Sequence, residues 1–289
     1  MKWLLPVFGG VLFLAAVSST VNWIGMAGAS VGPPLHHPVP SLPARSGAAP
    51  SYRTHVSCGE VLVTSTTLAN SLYCPGGDGL LTSNAGVTIN LAGHFLLGNG
   101  AGTGIRTLFD YGGVTIENGT VAGFENGVGL FGLGAYTVTN MNLIGNASDG
   151  LIIDGDSDVV ANNHVSFSGL YGITTGDGTD DAVYSRNIVS HNGGSGIFTY
   201  VSTSRFYYNV ATWNGGDGID SYDIAWSFAP GYHYGGNIAD HNSNIGIALE
   251  ITDPYHNPLP VVDEGGNEAR FNRSSLQCSV LGLTCLPGP

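Results

Sequence analysis

Two stretches decide how the chain is read: Asn187-Ile188-Val189-Ser190-His191-Asn192-Gly193-Gly194-Ser195-Gly196-Ile197 and Asn209-Val210-Ala211-Thr212-Trp213-Asn214-Gly215-Gly216-Asp217-Gly218-Ile219. They align column by column at a separation of 22 residues. Outward from this pair, a glycine followed by an aliphatic residue recurs at Gly79-Leu80, Gly104-Ile105, Gly127-Val128, Gly150-Leu151, Gly172-Ile173, Gly196-Ile197, Gly218-Ile219 and Gly246-Ile247. Successive steps are 25, 23, 23, 22, 24, 22 and 28 residues. Asparagines keep the same register: Asn187, Asn209 and Asn237 lie nine before their glycines, and Asn192, Asn214 and Asn242 four before. Asn163 and Asn118 take the minus-nine place in earlier units, Asn146 a minus-four place, and Asn267 with Asn272 a last, degenerate unit. Self-similarity at such a period is the mark of a stacked repeat architecture.

Within a unit the apolar residues come in short alternating runs such as Ile197-Phe198-Thr199-Tyr200, Val183-Tyr184-Ser185 and Ile188-Val189, bounded by Gly, Asn, Asp and Ser. That pattern predicts strands of two to five residues, about three per unit, and no helix. Strands this short bury nothing alone; equivalent strands stacked from unit to unit close a continuous core. The asparagines are expected to hold tight left-handed corners and to stack their amides up and down a column. A leucine-rich repeat lacks its leucine ladder here. A calcium-binding nonapeptide roll has a single echo, Gly215-Gly216-Asp217-Gly218-Ile219-Asp220, not repeated every nine residues.

The quoted units resemble the repeats of right-handed parallel β-helix proteins of the pectin-lyase-like superfamily. Gly86-Val87-Thr88-Ile89-Asn90-Leu91-Ala92-Gly93 and Gly113-Val114-Thr115-Ile116-Glu117-Asn118-Gly119 are similar to early coils of its secreted bacterial members. The resemblance covers about residues 58 to 277. It implies an all-β fold, a right-handed parallel β-helix of about eight coils with three short strands per coil. It is specific for fold and broad for function, because the superfold hosts pectate lyases, polygalacturonases, sugar epimerases, phage tailspikes and non-catalytic surface proteins.

The chain has 289 residues, with 45 glycines, 21 acidic residues and eight basic ones, for a net charge of −13. Lys2 is its only lysine. So acidic a body repels phosphate backbones and anionic headgroups, which excludes nucleic acid and anionic membrane surfaces as partners. Residues 1–29 read as a signal peptide: Lys2, the apolar run Val11 to Val17 and the Ala27-Gly28-Ala29 cleavage pattern. The alternative is an uncleaved anchor, the only membrane contact foreseen. Residues 30–54 read as a Pro-rich linker and 55–289 as the β-helix domain. Four cysteines, Cys58, Cys74, Cys278 and Cys285, suit an oxidising compartment, and local pairing of Cys58 with Cys74 and Cys278 with Cys285 is the simplest of three connectivities. The expected location is secreted or on the extracytoplasmic cell surface.

Side chains alternate along a strand, so the first and third residues after each repeat glycine should face inward and the second and fourth outward. Tyr200 and Tyr222 then become outward neighbours on adjacent coils, beside Phe198 and Asp220, with Glu250 one coil on. Aromatic rings cover the apolar face of a pyranose and carboxylates accept from its hydroxyls, so Phe198, Tyr200, Tyr222 and Glu250 are the expected carbohydrate-binding residues. Asp154, Asp156 and Asp158 alternate along one turn, and Asp177, Asp180 and Asp181 lie in the next. Such turns would take calcium, with Asp154, Asp156, Asp158 and Asp177 as its ligands; no motif calls for another cofactor. A hydrolase needs two carboxylates, and Asp220, Asp223, Asp180 and Asp181, with Asp154, are the candidates. Gly178-Thr179-Asp180-Asp181 resembles the paired aspartates of polygalacturonases, but their His-Gly and Arg-x-Lys signatures are absent. A lyase would draw on Arg186 or Arg205 as its basic partner. Phe167, His191, Trp213 and His241 form a column expected to pack at a corner, and the aromatic segment Ile224 to Tyr234 is expected to wall a groove. The resulting expectation is a secreted β-helix that binds, and as a lyase or hydrolase would modify, a neutral extracellular polysaccharide. The alternative is a non-catalytic surface or structural β-helix.

Overall fold

The computed structural model describes residues 53–176, 181–200, 203–224, 231–252, 261–279 and 282–286. The segment read as a signal peptide and nearly all of that read as a linker lie outside the described residues; residues 49–289 form one compact unit. Arg53 and Thr54, read as the end of the linker, already form a strand that pairs with Thr67 and Leu68. Among the described residues every regular element is a strand, every strand pairing is parallel, and no helix is long and apolar enough to cross a membrane.

Three faces arise from the repeat. The first is a ten-stranded sheet made of Glu60–Leu62, Leu80–Thr82, Thr103–Thr107, Asn126–Phe131, Leu151–Asp154, Ile173–Thr175, Ile197–Tyr200, Ile219–Ile224, Ile247–Thr252 and Cys278–Ser279. The second and third alternate along the rest of each coil, as in Val183–Ser185 followed by Ile188–Ser190. They count as one 17-stranded sheet because the strands Thr115–Ala122 and Thr137–Ile144 run through the corner between them. Registers such as Ile197↔Ile219 and Val189↔Ala211 put residues one period apart side by side.

The aliphatic residue after each repeat glycine, Leu80, Ile105, Val128, Leu151, Ile173, Ile197, Ile219 and Ile247, is completely buried. Together they form one stripe of core. From the second face Tyr184, Phe206 and Tyr234 stack inside the coil at 5.0 and 4.8 Å. The repeat glycines are needed for space, since none of them lies at positive φ. A Cβ on Gly172 would sit 2.6 Å from the Gly196 carbonyl oxygen, and one on Gly196 would sit 2.7 Å from that of Gly218.

The asparagines form two buried ladders. In the first, the Asn187 backbone N–H and Nδ2 both donate to Asn209 Oδ1, at 3.1 and 3.0 Å, while Nδ2 also donates to Val160 O at 2.8 Å. Asn163, Asn209 and Asn237 repeat the pattern, each toward the next rung. In the second, Asn192, Asn214, Asn242 and Asn272 do the same, and Gln277 Oε1 closes the end at 2.9 Å. The left-handed backbone does not fall on these asparagines, contrary to the sequence expectation. It falls on the residue before: Arg186, His191, Tyr208, Trp213, His241 and Phe271 have φ between +54° and +59°. Each of these residues turns the chain and points outward, so that the following amide enters the ladder. A left-handed L-residue costs roughly 1–2 kcal/mol, and the ladder bonds, about 1 kcal/mol each, offset it. Asn118 is displaced from the ladder too: at φ +61° it occupies the outer corner, where its Oδ1 accepts from Asn140 Nδ2 at 3.3 Å.

Both cysteine pairs are bridged as expected, Cys58–Cys74 and Cys278–Cys285, with Cα separations of 5.6 and 6.1 Å.

Candidate functional site

On the outer side of the first face, the strands Ile197–Tyr200 and Ile219–Ile224 place Phe198 opposite Asp220 and Tyr200 opposite Tyr222. Their inward neighbours Ile197, Thr199, Ile219 and Ser221 are completely buried, and Thr199 Oγ1 and Ser221 Oγ share a 2.8 Å hydrogen bond beneath them. Alternation therefore throws Phe198, Tyr200, Asp220 and Tyr222 outward. They line a groove of about 290 Å³ together with Asp217, Asn244, Ile245 and Ala248.

The rings meet edge to face rather than flat. Tyr200 and Tyr222 have centroids 5.7 Å apart at 80°, and Phe198 and Tyr200 4.9 Å apart at 82°. Tyr171, from the preceding coil, lies flat on Phe198 at 4.6 Å and 14°. Edge-to-face packing leaves ring faces turned in different directions, and a saccharide C–H face can rest on them.

Asp217, nearly buried at the groove margin, accepts from the Ile245 N–H at 2.6 Å. Burial raises its carboxyl above the usual range, opposed by that N–H and by the Asn244 side chain. Burial raises the Tyr171 phenol too, with Tyr200 and Asp220 nearby adding to it. The sequence reading missed Asp217, Tyr171, Asn244 and Ile245. A signal existed: the position before the repeat glycines carries Asp78, Asn126, Asp149, Ser195 and Asp217. Each offers a side-chain oxygen to a backbone N–H one coil on, as Asp149 does to Tyr171 at 2.9 Å.

Other expected residues are distributed differently. Asp223 and Glu250 are placed by backbone register only, Asp223 opposite Ile251 and Glu250 opposite Tyr222. Asp177 and Asp180 lie outside the described residues. Asp181 sits in a turn after the first face, where its N–H donates to Thr203 Oγ1 at 2.9 Å and Arg205 approaches its carboxylate to 4.0 Å; it does not line the groove. Asp158 faces the core rather than an outer acidic turn. It is completely buried, and its Oδ1 accepts from the Tyr136 N–H at 2.8 Å. Its position precedes a second-face strand, like Ala182, Ser204 and Tyr232, which are buried as well. Among the described residues no three His, Cys, Asp or Glu side chains converge as a metal site; of the expected calcium ligands, Asp158 points inward, away from an outer turn, and Asp177 lies outside the described residues.

Arg186 lies over the Tyr208 ring at 5.8 Å; neither it nor Arg205 lines the groove. Tyr232 and Tyr234, expected on a groove wall, are inside the coil; Trp226 and Phe228 lie outside the described residues. The column Phe167, His191, Trp213, His241 and Phe271 stands on the outside of its corner, with the first four rings stacked at 5.1, 6.3 and 4.3 Å and Phe271 tilted by 33° against His241 at 5.0 Å. Their faces cover one another, so this column packs against itself and turns ring edges to solvent. On the second face Glu264 Oε1 accepts from the Tyr207 hydroxyl at 2.9 Å and lies 2.8 Å from His233 Nδ1, tying three coils together.

A second, smaller groove of about 220 Å³ lies three to four coils before Tyr200, lined by Arg106, Thr107, Leu108, Phe109, Asp110 and Phe131. Arg106 is held there by Asp78, Nε to Oδ2 at 2.7 Å.

Residues 126–258 match the family model of the right handed beta helix region. With parallel coils stacked in register on three faces, that match settles the architecture. The chain is a right-handed parallel β-helix. No curated protein and no solved structure matched it. In this β-helix the matched segment contains the whole Phe198–Tyr200–Tyr222 groove, so the site is built by the repeat itself.

Proposed function

We propose that this β-helix binds carbohydrate outside the cell through the groove on its first face. The observation that carries the reading is the meeting of three outward rings, Phe198, Tyr200 and Tyr222, around the carboxylate-bearing positions Asp217 and Asp220. Apolar ring faces beside oxygen acceptors, on a sheet whose inner side is fully packed, form a preorganised sugar platform. The net charge of −13 favours a neutral glycan over a polyanion. Two disulfides are compatible with an extracellular location, and the N-terminal segment read as a signal peptide would deliver the chain there.

The test is glycan-array binding of wild type against Tyr200→Ala and Tyr222→Ala. Loss of signal in both variants, with thermal stability retained, supports the groove; unchanged binding removes it. Asp217 and Asp220 are the two carboxylates a cleaving groove would use, the buried one as acid and its neighbour as base. Release of reducing ends that disappears in Asp220→Asn would make the protein a hydrolase. Binding without release across a wide polysaccharide panel would make it a binding module.

A further inference from the structure

The outer surface of the first face holds a continuous column of outward positions joining the two grooves. Register pairs Phe131 with Asp154 and Tyr200 with Tyr222. The pairings Ile153↔Thr175 and Thr174↔Phe198 carry the column from Asp154 through Gly176 to Tyr200. Phe131, Asp154, Gly176, Tyr200 and Tyr222 thus follow one another coil by coil, a span of about 19 Å at the usual strand spacing of ~4.8 Å.

Two outward glycines shape this line, and neither has positive φ. A Cβ on Gly129 would lie 3.1 Å from Phe131 Cε2, so the Phe131 ring lies over the bare backbone of that coil. A Cβ on Gly176 would collide with the Asp154 carboxylate, so that carboxylate lies over Gly176. The far end is held firmly: the Tyr136 hydroxyl lies 2.8 Å from Tyr111 O and 2.7 Å from Phe131 O, linking the turns that carry both aromatics. Phe109 and Tyr111 meet edge to face at 6.0 Å beside Phe131, and all three rings are solvent-exposed.

We propose that the Phe109–Phe131 groove is a second subsite for the ligand of the Tyr200–Tyr222 groove, and that this ligand is a linear, neutral glycan lying along the helix axis. The inference rests on the carbohydrate reading above and adds length, direction and charge to it. Rings at both ends bind sugar faces; Asp154, between them, accepts from hydroxyls midway. Asp110, Asp154 and Asp220 along one path repel a uronate polymer, and Arg106 in the second groove is paired with Asp78.

Calorimetric titration with cello-, xylo- and manno-oligosaccharides, each as disaccharide and hexasaccharide, tests it. For the series that binds, the hexasaccharide is expected to bind at least about tenfold more tightly than the disaccharide, the scale of one added aromatic contact. Phe131→Ala removes that gain and leaves disaccharide binding unchanged, whereas Tyr200→Ala weakens both. Gly129→Ala, whose methyl would push the Phe131 ring by only a few tenths of an ångström, should weaken hexasaccharide binding by less than Phe131→Ala does. The two-subsite track is overturned if hexasaccharide and disaccharide bind alike. It is equally overturned if Phe131→Ala binds the hexasaccharide like wild type while Tyr200→Ala does not, an outcome that leaves the carbohydrate reading standing. Absence of binding to every neutral oligosaccharide overturns both. Tighter binding of an oligogalacturonate of the same length overturns the neutral-ligand claim alone.

Discussion

Asp158 is the residue whose chemistry is most at odds with its place. Its carboxyl is completely buried, and Oδ2 has no hydrogen-bond partner among the described residues. Burial, with Asp156 and Asp154 nearby, pushes its pKa up to about 7 from 3.8. A carboxyl whose folded pKa lies above its unfolded one binds its proton more tightly when folded. Its stabilising contribution is complete below about pH 4 and is lost as pH rises through about 7. The melting temperature should therefore fall from this group as pH rises through that window. Asp158→Asn keeps an acceptor for the Tyr136 N–H and carries no charge, so it should melt higher than wild type near pH 8 and with little difference near pH 4. Equal pH dependence in the two proteins would refute the assignment. The sequence showed three alternating aspartates and no sign that the last begins an inward column. That column becomes visible only when Asp158 is aligned with Ala182, Ser204 and Tyr232, whose spacings are unequal because the turns after the first face differ in length.

The second asparagine ladder contains a gap that can be repaired. Between Asn146 and Asn192 the rung is Ser168, and both Asn146 Nδ2 and Ser168 Oγ lack partners among the described residues. Gly127, Gly172 and Gly196 leave room for the amides of Asn146, Asn192 and Asn214, and Gly150 stands in the same position beside Ser168. Ser168→Asn should therefore continue the ladder, with its Oδ1 accepting from Asn146 and its Nδ2 donating to Asn192. A gain of about 1–2 kcal/mol in denaturant unfolding is expected. Asn214→Ala, in the middle of the same ladder, strips partners from Asn192 and Asn242 and should cost at least ~2 kcal/mol. If the substitution at Ser168 destabilises, the rung was shaped for a small side chain. Ladder stacking was legible from the asparagine columns alone. The location of the strained backbone was not, because a corner of two residues looks the same in sequence whichever of them carries the positive φ.

The described coils form a stack in which strand pairing joins each coil to its neighbours and an occasional side-chain bond, such as Tyr207 to Glu264, reaches one coil further, so stability is approximately a sum over adjacent coils. Its ends are where it opens, and each end carries a disulfide. Reduction should lower hydrogen-exchange protection first in residues 53–97 and 268–286 and last in 151–247. Cys58→Ser with Cys74→Ser should cost about 3 kcal/mol, seen as a lower denaturant midpoint. Uniform loss of protection along the chain would contradict the stack picture. The fold was legible because its period appears in several columns at once. The groove was legible in part, since strand alternation gives Phe198, Tyr200, Asp220 and Tyr222 but does not show which turn residues close over them. One regularity has a practical outcome. Asn163 to Ser168, Asn187 to Asn192, Asn209 to Asn214, Asn237 to Asn242 and Asn267 to Asn272 all span five residues, whereas the step from one first-column asparagine to the next varies from 22 to 30. From Asn163 onward the change in length between these asparagine pairs falls outside the five-residue corner, whereas an earlier coil has seven residues from Ile89 to Leu96 where the next has five from Ile116 to Val121. Foreign peptides, epitope tags or fluorophore-bearing cysteines spliced between Gly196 and Asn209 should leave the winding intact, while one extra residue between Asn187 and Asn192 would pull one of those two amides out of its ladder.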